Sequence, residues 1–205
     1  MIKKSAEEMA FFFVKKGIID EKEKDVYIYG SELLISEMIC TLLVIGIGIC
    51  TEKFIETLLY LASYMPIRIY AGGYHANTHR SCIMIFNICY VILFFIVELL
   101  LGLNYIHIIY ILAAGATFVI FILAPIEDMR KPLDEKEICV YKKKAQKGVL
   151  ILYLFAIIVS CAVPELREEI CYGMAAVFEI AMLLIIGYIK NKISFRDKNY
   201  VILKS

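Results

Sequence analysis

Six apolar runs decide what this chain can become. They fall at residues 28–50, 54–71, 82–103, 106–124, 149–163 and 171–189. A helix needs about 20 apolar residues to cross a bilayer, within a range of about 17–25. In hydrocarbon every backbone amide must be satisfied internally, and a helix does that within one segment. The pattern therefore predicts an all-α polytopic membrane protein with about six transmembrane helices. Composition agrees: 61% of the 205 residues are hydrophobic and mean hydropathy is +0.75. Soluble domains are nearer about half apolar. No nucleic-acid partner is expected.

Two runs are irregular. The fifth is short, so its ends must extend or the bilayer must thin. The second carries Pro66 and Arg68 near its end and reads as a broken or re-entrant segment. Such backbone is tolerated where it lines a protein cavity. Before the first run, Ile2, Ala6, Met9 and Phe13 recur at helical spacing among Lys and Glu. They predict an amphipathic helix, either lying in the membrane interface or packed on the rest of the chain. The organisation is thus an interfacial segment (1–25), a six-span membrane domain (26–190) and a basic tail (191–205).

The net charge of +1 hides a strong asymmetry. Alternate connections and both termini hold 20 of the 22 basic residues, against only Lys53 and Arg167 on the opposite side. Cytoplasmic loops carry the excess of Lys and Arg, so both termini are expected in the cytoplasm.

The same count puts residues 68–82, RIYAGGYHANTHRSC, at the cytoplasmic face. Gly72 and Gly73 permit a sharp turn. His75 follows it, and Cys82 opens the next apolar run. An imidazole near a cysteine is the minimum constellation for thiolate catalysis. Seven residues of straight helix would hold the two about 10 Å apart along the axis, so residues 77–81 must leave a regular helix if His75 serves Cys82. Asn77, Thr78 and Ser81 favour turns and caps. By helical proximity His79, three residues from Cys82, is the better base. Among seven cysteines, only Cys82 has Arg80 and histidines beside it. Cys40 and Cys89 lie mid-span and read as small packing groups; a Cys161–Cys171 pairing on the outer side stays open.

These residues resemble the signature of the accessory gene regulator B (AgrB) family, membrane cysteine endopeptidases that process a quorum-sensing propeptide in Gram-positive bacteria. The family pattern is an Arg, a Gly-Gly-x-His-Ala stretch and a Cys seven residues after the His. Here those are Arg68, Gly72, Gly73, His75, Ala76 and Cys82. A second likeness lies at APIEDMRKPL, residues 124–133. The resemblance implies His75 as base, Cys82 as nucleophile, and Arg68 and Gly73 as supporting positions, with Gly72 in the same turn. It chooses His75 over His79 and leaves His79 to the interface or to substrate contact. It also implies an AgrD-like propeptide substrate, no cofactor, action as a homodimer and residence in the bacterial cell membrane among its lipids. The basic segment 130–147 is expected to anchor on anionic lipid or to attract an acidic peptide tail.

Two other readings stand beside this one. His75, His79 and Cys82 could supply three zinc ligands, although no fourth ligand or catalytic carboxylate adjoins them in sequence. Glu37, Glu56, Glu98 and Glu179 fall in or near the spans, where acids face the protein interior or a water-filled path. They would suit a small transporter or channel, or simply interhelical hydrogen bonds. Glu37 is the deepest, and orienting His75 is one role open to it.

Overall fold

The computed structural model describes residues 2–74, 76, 78–127 and 133–202, with side chains described as far as residue 193. Seven helices carry the chain: α1 (Ile2–Lys15), α2 (Lys24–Cys50), α3 (Phe54–Ala71), α4 (His79–Gly102), α5 (Ile106–Leu123), α6 (Glu135–Ala162) and α7 (Arg167–Ile202). Five helical segments are long and apolar enough to cross a membrane: Glu21–Cys50, His79–Gly102, Ile106–Leu123, Glu135–Ala162 and Pro164–Ile193. Among the described residues there is no strand, only one isolated bridge. The protein is an all-α polytopic membrane protein.

The sixth predicted span is α3, and it behaves differently. Its 18 residues reach about 27 Å at 1.5 Å each, and Pro66 lies inside the helix without breaking it. The chain leaves the helix only at Gly72. The buried face of α3 holds Thr57, Tyr60, Ser63 and Tyr64 with Leu61, Ile67 and Ala71. Its exposed positions include Ile55, Leu58, Met65 and Ile69. Polar groups inside and apolar groups outside is the arrangement that lipid demands. The short fifth run is also resolved. Helix α6 runs 28 residues, extending backwards through the lysine-rich stretch to Glu135. Asp134 caps it by accepting from the Glu137 backbone N–H at 2.6 Å, while the Glu137 side chain reaches back to the Asp134 N–H at 3.1 Å.

The chain divides into two compact units. One comprises residues 1–47 and 76–88. Within it, Ala6 and Ala10 of α1 are buried, Met9 and Phe13 half-buried, and the lysines and glutamates face out, as the helical spacing predicts. Phe13 meets Tyr27 of α2 edge-on at 6.4 Å. Phe11 and Phe12 stay exposed, with Lys24 and Lys16 over their rings, which suits a helix at a membrane interface.

The other unit comprises residues 48–75 and 89–205. Helix α7 is its core: 78% of its apolar window is buried, against 22% for each of the other four spanning segments. It packs against α3 and α5, and α6 joins the same bundle. At one end of α3 the Lys53 amine lies 3.1 Å from Glu98 and 3.3 Å from Glu56, and Tyr172 donates to Glu98. Lys53 thus joins Glu56, in the first turn of the helix it precedes, to Glu98 of α4, and Glu98 in turn takes a hydrogen bond from α7. Burial acts to lower the Lys53 pKa, but the hydrogen bonds and charges of Glu98 and Glu56 outweigh it and hold the amine above the ordinary lysine range.

A raised folded pKa means that the protonated amine stabilises the fold fully below about 10.5, and that this stabilisation is lost as pH rises through the folded value. The amine is one-third exposed, so the pair contributes about 1 kcal/mol or less. Lys53→Met should therefore lower the melting temperature in lipid by a few degrees near neutral pH. That difference should shrink above about pH 10.5.

Candidate functional site

In the second unit, the glycine turn is fixed from three directions. Gly72 and Gly73 have φ of 67° and 125°, angles that side chains with a Cβ resist. Gly72 forms the isolated bridge with Ile126. The Gly73 N–H donates to the Ile126 carbonyl at 3.2 Å, and the Ile126 N–H donates to the Ala71 carbonyl at 2.9 Å. The two sequence stretches of the family resemblance, 68–82 and 124–133, thus meet directly at Gly72–Gly73 and Ile126. The Tyr74 N–H donates to the Leu183 carbonyl of α7 at 2.9 Å.

Space is as limiting as dihedral angle here. A Cβ on Gly72 would run into the Ile126 carbonyl, and one on Gly73 into the Arg68 guanidinium. One on Gly187 of α7 would come within 2.8 Å of the Tyr74 nitrogen. Arg68, in the last turn of α3, donates to the Gly72 carbonyl and to the Tyr74 carbonyl at 2.8 Å. Its guanidinium closes the loop that follows its own helix. The loop leads into His75, which lies outside the described residues, as do Asn77 and the DMRKP portion of the second stretch.

In the first unit, Thr78 starts α4. Its hydroxyl accepts from the Ser81 N–H at 3.2 Å, and its carbonyl accepts from the Cys82 N–H at 3.0 Å. This is the local capping expected of Thr at a helix entry. Cys82 is half-buried in the first turn of α4, where the helix presents partial positive charge. Ala76 and Thr78 are not helical, whereas His79, Arg80 and Ser81 already belong to α4.

His79 is tied down on both ring nitrogens. Nδ1 lies 3.0 Å from the Ser36 hydroxyl and Nε2 lies 3.0 Å from a Glu32 carboxylate oxygen. A carboxylate only accepts, so Nε2 carries a proton. His79 therefore pins the start of α4 to α2, one turn before Cys82. Sequence reading passed over Glu32. The available signal was its spacing: Glu32, Ser36 and Cys40 recur every fourth residue along one side of α2. Ser36 and Cys40 are buried and Glu32 is half-buried. Glu37, singled out in sequence, is exposed on α2. All seven cysteines are free thiols, Cys161 and Cys171 included. Among the described residues no cluster of His, Cys, Asp and Glu is arranged to hold a metal.

A helix start bearing a cysteine and a glycine loop fixed by arginine are both parts of the signature noted above. The sequence matches the family model for accessory gene regulator B over residues 6–189. The chain belongs to the accessory gene regulator B family. Curated relatives agree. The chain is similar to the accessory gene regulator protein B of Staphylococcus epidermidis, 27% identical over 195 residues, which cover 95% of this chain and 96% of that protein. An AgrB-like protein of Clostridium perfringens is 28% identical over 149 residues, 69% of this chain and 68% of the relative. One from Listeria monocytogenes is 26% identical over 179 residues, 86% and 78% respectively. No solved structure matches. Membership in the AgrB family ties the chain to accessory gene regulator quorum sensing.

Proposed function

We propose that this chain is a membrane cysteine endopeptidase that removes the C-terminal tail of an AgrD-like propeptide and promotes closure of a thiolactone. The observation that carries the reading is Cys82 in the capped first turn of α4, seven residues beyond His75, within the family-matched region. In the proposed reaction the Cys82 sulfur attacks the carbonyl joining the future signal to its tail. His75 accepts the thiol proton and then donates it to the leaving amine as the C–N bond breaks. The truncated peptide remains as a thioester on Cys82. A thiol within the substrate then displaces Cys82, forming the ring and returning the proton to the enzyme thiol. Thioester exchange is close to balanced, so ring closure must outrun hydrolysis, and a site that excludes water favours it.

Arg68 is occupied with the Gly72 and Tyr74 carbonyls. That favours a role in shaping the loop before His75 over a direct grip on the substrate. Its placement at the cytoplasmic face rests on the distribution of Lys and Arg along the sequence. The test uses the full-length protein in lipid vesicles with a propeptide carrying leader, central cysteine and acidic tail. Mass spectrometry should show release of the intact tail and a remaining peptide lighter than the linear product by one water. Persistence of the propeptide in the presence of well-inserted protein would defeat the proposal.

A further inference from the structure

One side of α6 changes character along its length. Lys144, Lys147, Ile151, Leu154 and Ile158 recur at spacings of three and four, so they share one face of the helix. All five are exposed. An exposed aliphatic stripe on a spanning helix faces acyl chains, and the two lysines next to it stand at the level where headgroups begin. The end of α3 meets α6 at the same level. The Lys144 ammonium lies over the Tyr70 ring of α3, 4.7 Å from its centre, and Tyr70 meets Tyr141 of α6 edge-on at 5.7 Å. The ring face attracts the cation and so holds Lys144 in place before any ligand arrives. Among the described residues no carboxylate pairs with Lys144 or Lys147. An ammonium carries three donors, and the Tyr70 and Tyr141 hydroxyls donate as well.

We infer that the seam of α3 and α6 at Tyr70, Tyr141, Lys144 and Lys147 binds the phosphate headgroup of an anionic phospholipid, whose acyl chains lie along Ile151, Leu154 and Ile158. The inference does not depend on the peptidase reading. Charge complementarity selects an anion, and the aliphatic continuation of the same face selects an amphiphile; an acidic peptide answers the charge alone. Charge count by itself would spread the attraction over every basic residue of α6. The seam singles out two of them: Lys142 and Lys143 are equally exposed, yet among the described residues they rest on no aromatic ring. Tyr70 lies two residues before Gly72, so a headgroup held here borders the glycine loop.

The test uses full-length protein in phosphatidylcholine vesicles carrying a trace of phosphatidylglycerol with a photoreactive acyl chain. Illumination and peptide mass spectrometry should place the label on α6 between Lys147 and Ile158, well above that from a phosphatidylcholine probe. A basic residue beside an anionic lipid surface contributes about fivefold in affinity. Lys144→Gln combined with Lys147→Gln should therefore cut the labelling at least about tenfold. Lys142→Gln combined with Lys143→Gln removes the same charge and should cut it less than about twofold. Tyr70→Leu keeps every charge and should cut it about twofold to fivefold, the scale of an exposed cation–π contact. Equal losses in the two paired variants, or wild-type labelling in Tyr70→Leu, would leave only diffuse attraction and overturn the inference. So would equal labelling by the two wild-type probes. Should the Lys144 and Lys147 variant keep its lipid label but lose binding of a soluble oligoglutamate peptide, the seam is a peptide site and the inference fails.

Discussion

Cys82→Ala should insert and fold normally yet release tail at least about 1,000-fold more slowly than wild type, the scale of losing a nucleophile. The side chain is half-buried at the start of α4, so trading a thiol for a methyl leaves the cap at Thr78 and the His79 anchor untouched. Cys82→Ser should be nearly as slow, since a hydroxyl beside the same base ionises far less readily than a thiol. Cys40→Ala and Cys89→Ala should retain activity, because each removes a small packing group from a helix. The measurement is the initial rate of tail release by purified protein in lipid, with insertion checked by protease protection.

His75→Ala and His79→Ala should separate clearly. Loss of a general base costs about 100-fold to 10,000-fold. Without it an ordinary thiol is mostly protonated near neutral pH. His75→Ala should therefore fall in that range and slow the neutral-pH alkylation of Cys82. His79 spends both ring nitrogens on Ser36 and Glu32, so His79→Ala should loosen the start of α4 and reduce the rate by less than about tenfold, the effect of a positioning group. Glu32→Gln should resemble His79→Ala. If His79→Ala is as slow as His75→Ala and both slow alkylation equally, the simple dyad is wrong. Added chelator then separates a shared network from a metal site.

The apolar runs made most of the helices legible. Helix α5, whose run was placed at 106–124, spans Ile106–Leu123, because nothing in it competes with the hydropathy signal. Two runs misled in opposite ways. Pro66 suggested a break in α3, yet neighbouring helices can tolerate a proline's missing donor inside a bundle. The run 149–163 looked short because Lys142, Lys143, Lys144 and Lys147 interrupt hydropathy without interrupting helix. Lysine is a good helix former, and the Asp134–Glu137 capping pair further back marked the true start.

The candidate site was legible where it is local in sequence and hidden where it is tertiary. The glycine pair announced its turn, and Thr78 and Ser81 announced a cap. Nothing in the motif names Ile126, Leu183 or Gly187, which supply backbone atoms or space rather than chemistry. Glu32 was overshadowed by Glu37, which lies deeper in the run, because depth in a span does not say which side of a helix a residue occupies. Fourfold spacing with Ser36 and Cys40 was the better guide.

The most direct test of the central claim traps the covalent intermediate. Full-length protein in lipid is mixed with a propeptide whose internal cysteine is replaced by alanine, so that ring closure cannot discharge the enzyme. The reaction is quenched in acid and analysed by intact-mass and peptide mass spectrometry. The account predicts a mass gain equal to the truncated peptide less one water, located on Cys82, removed by hydroxylamine and absent from Cys82→Ala. Undiminished tail release by Cys82→Ala, with no adduct on the wild-type protein, would contradict it.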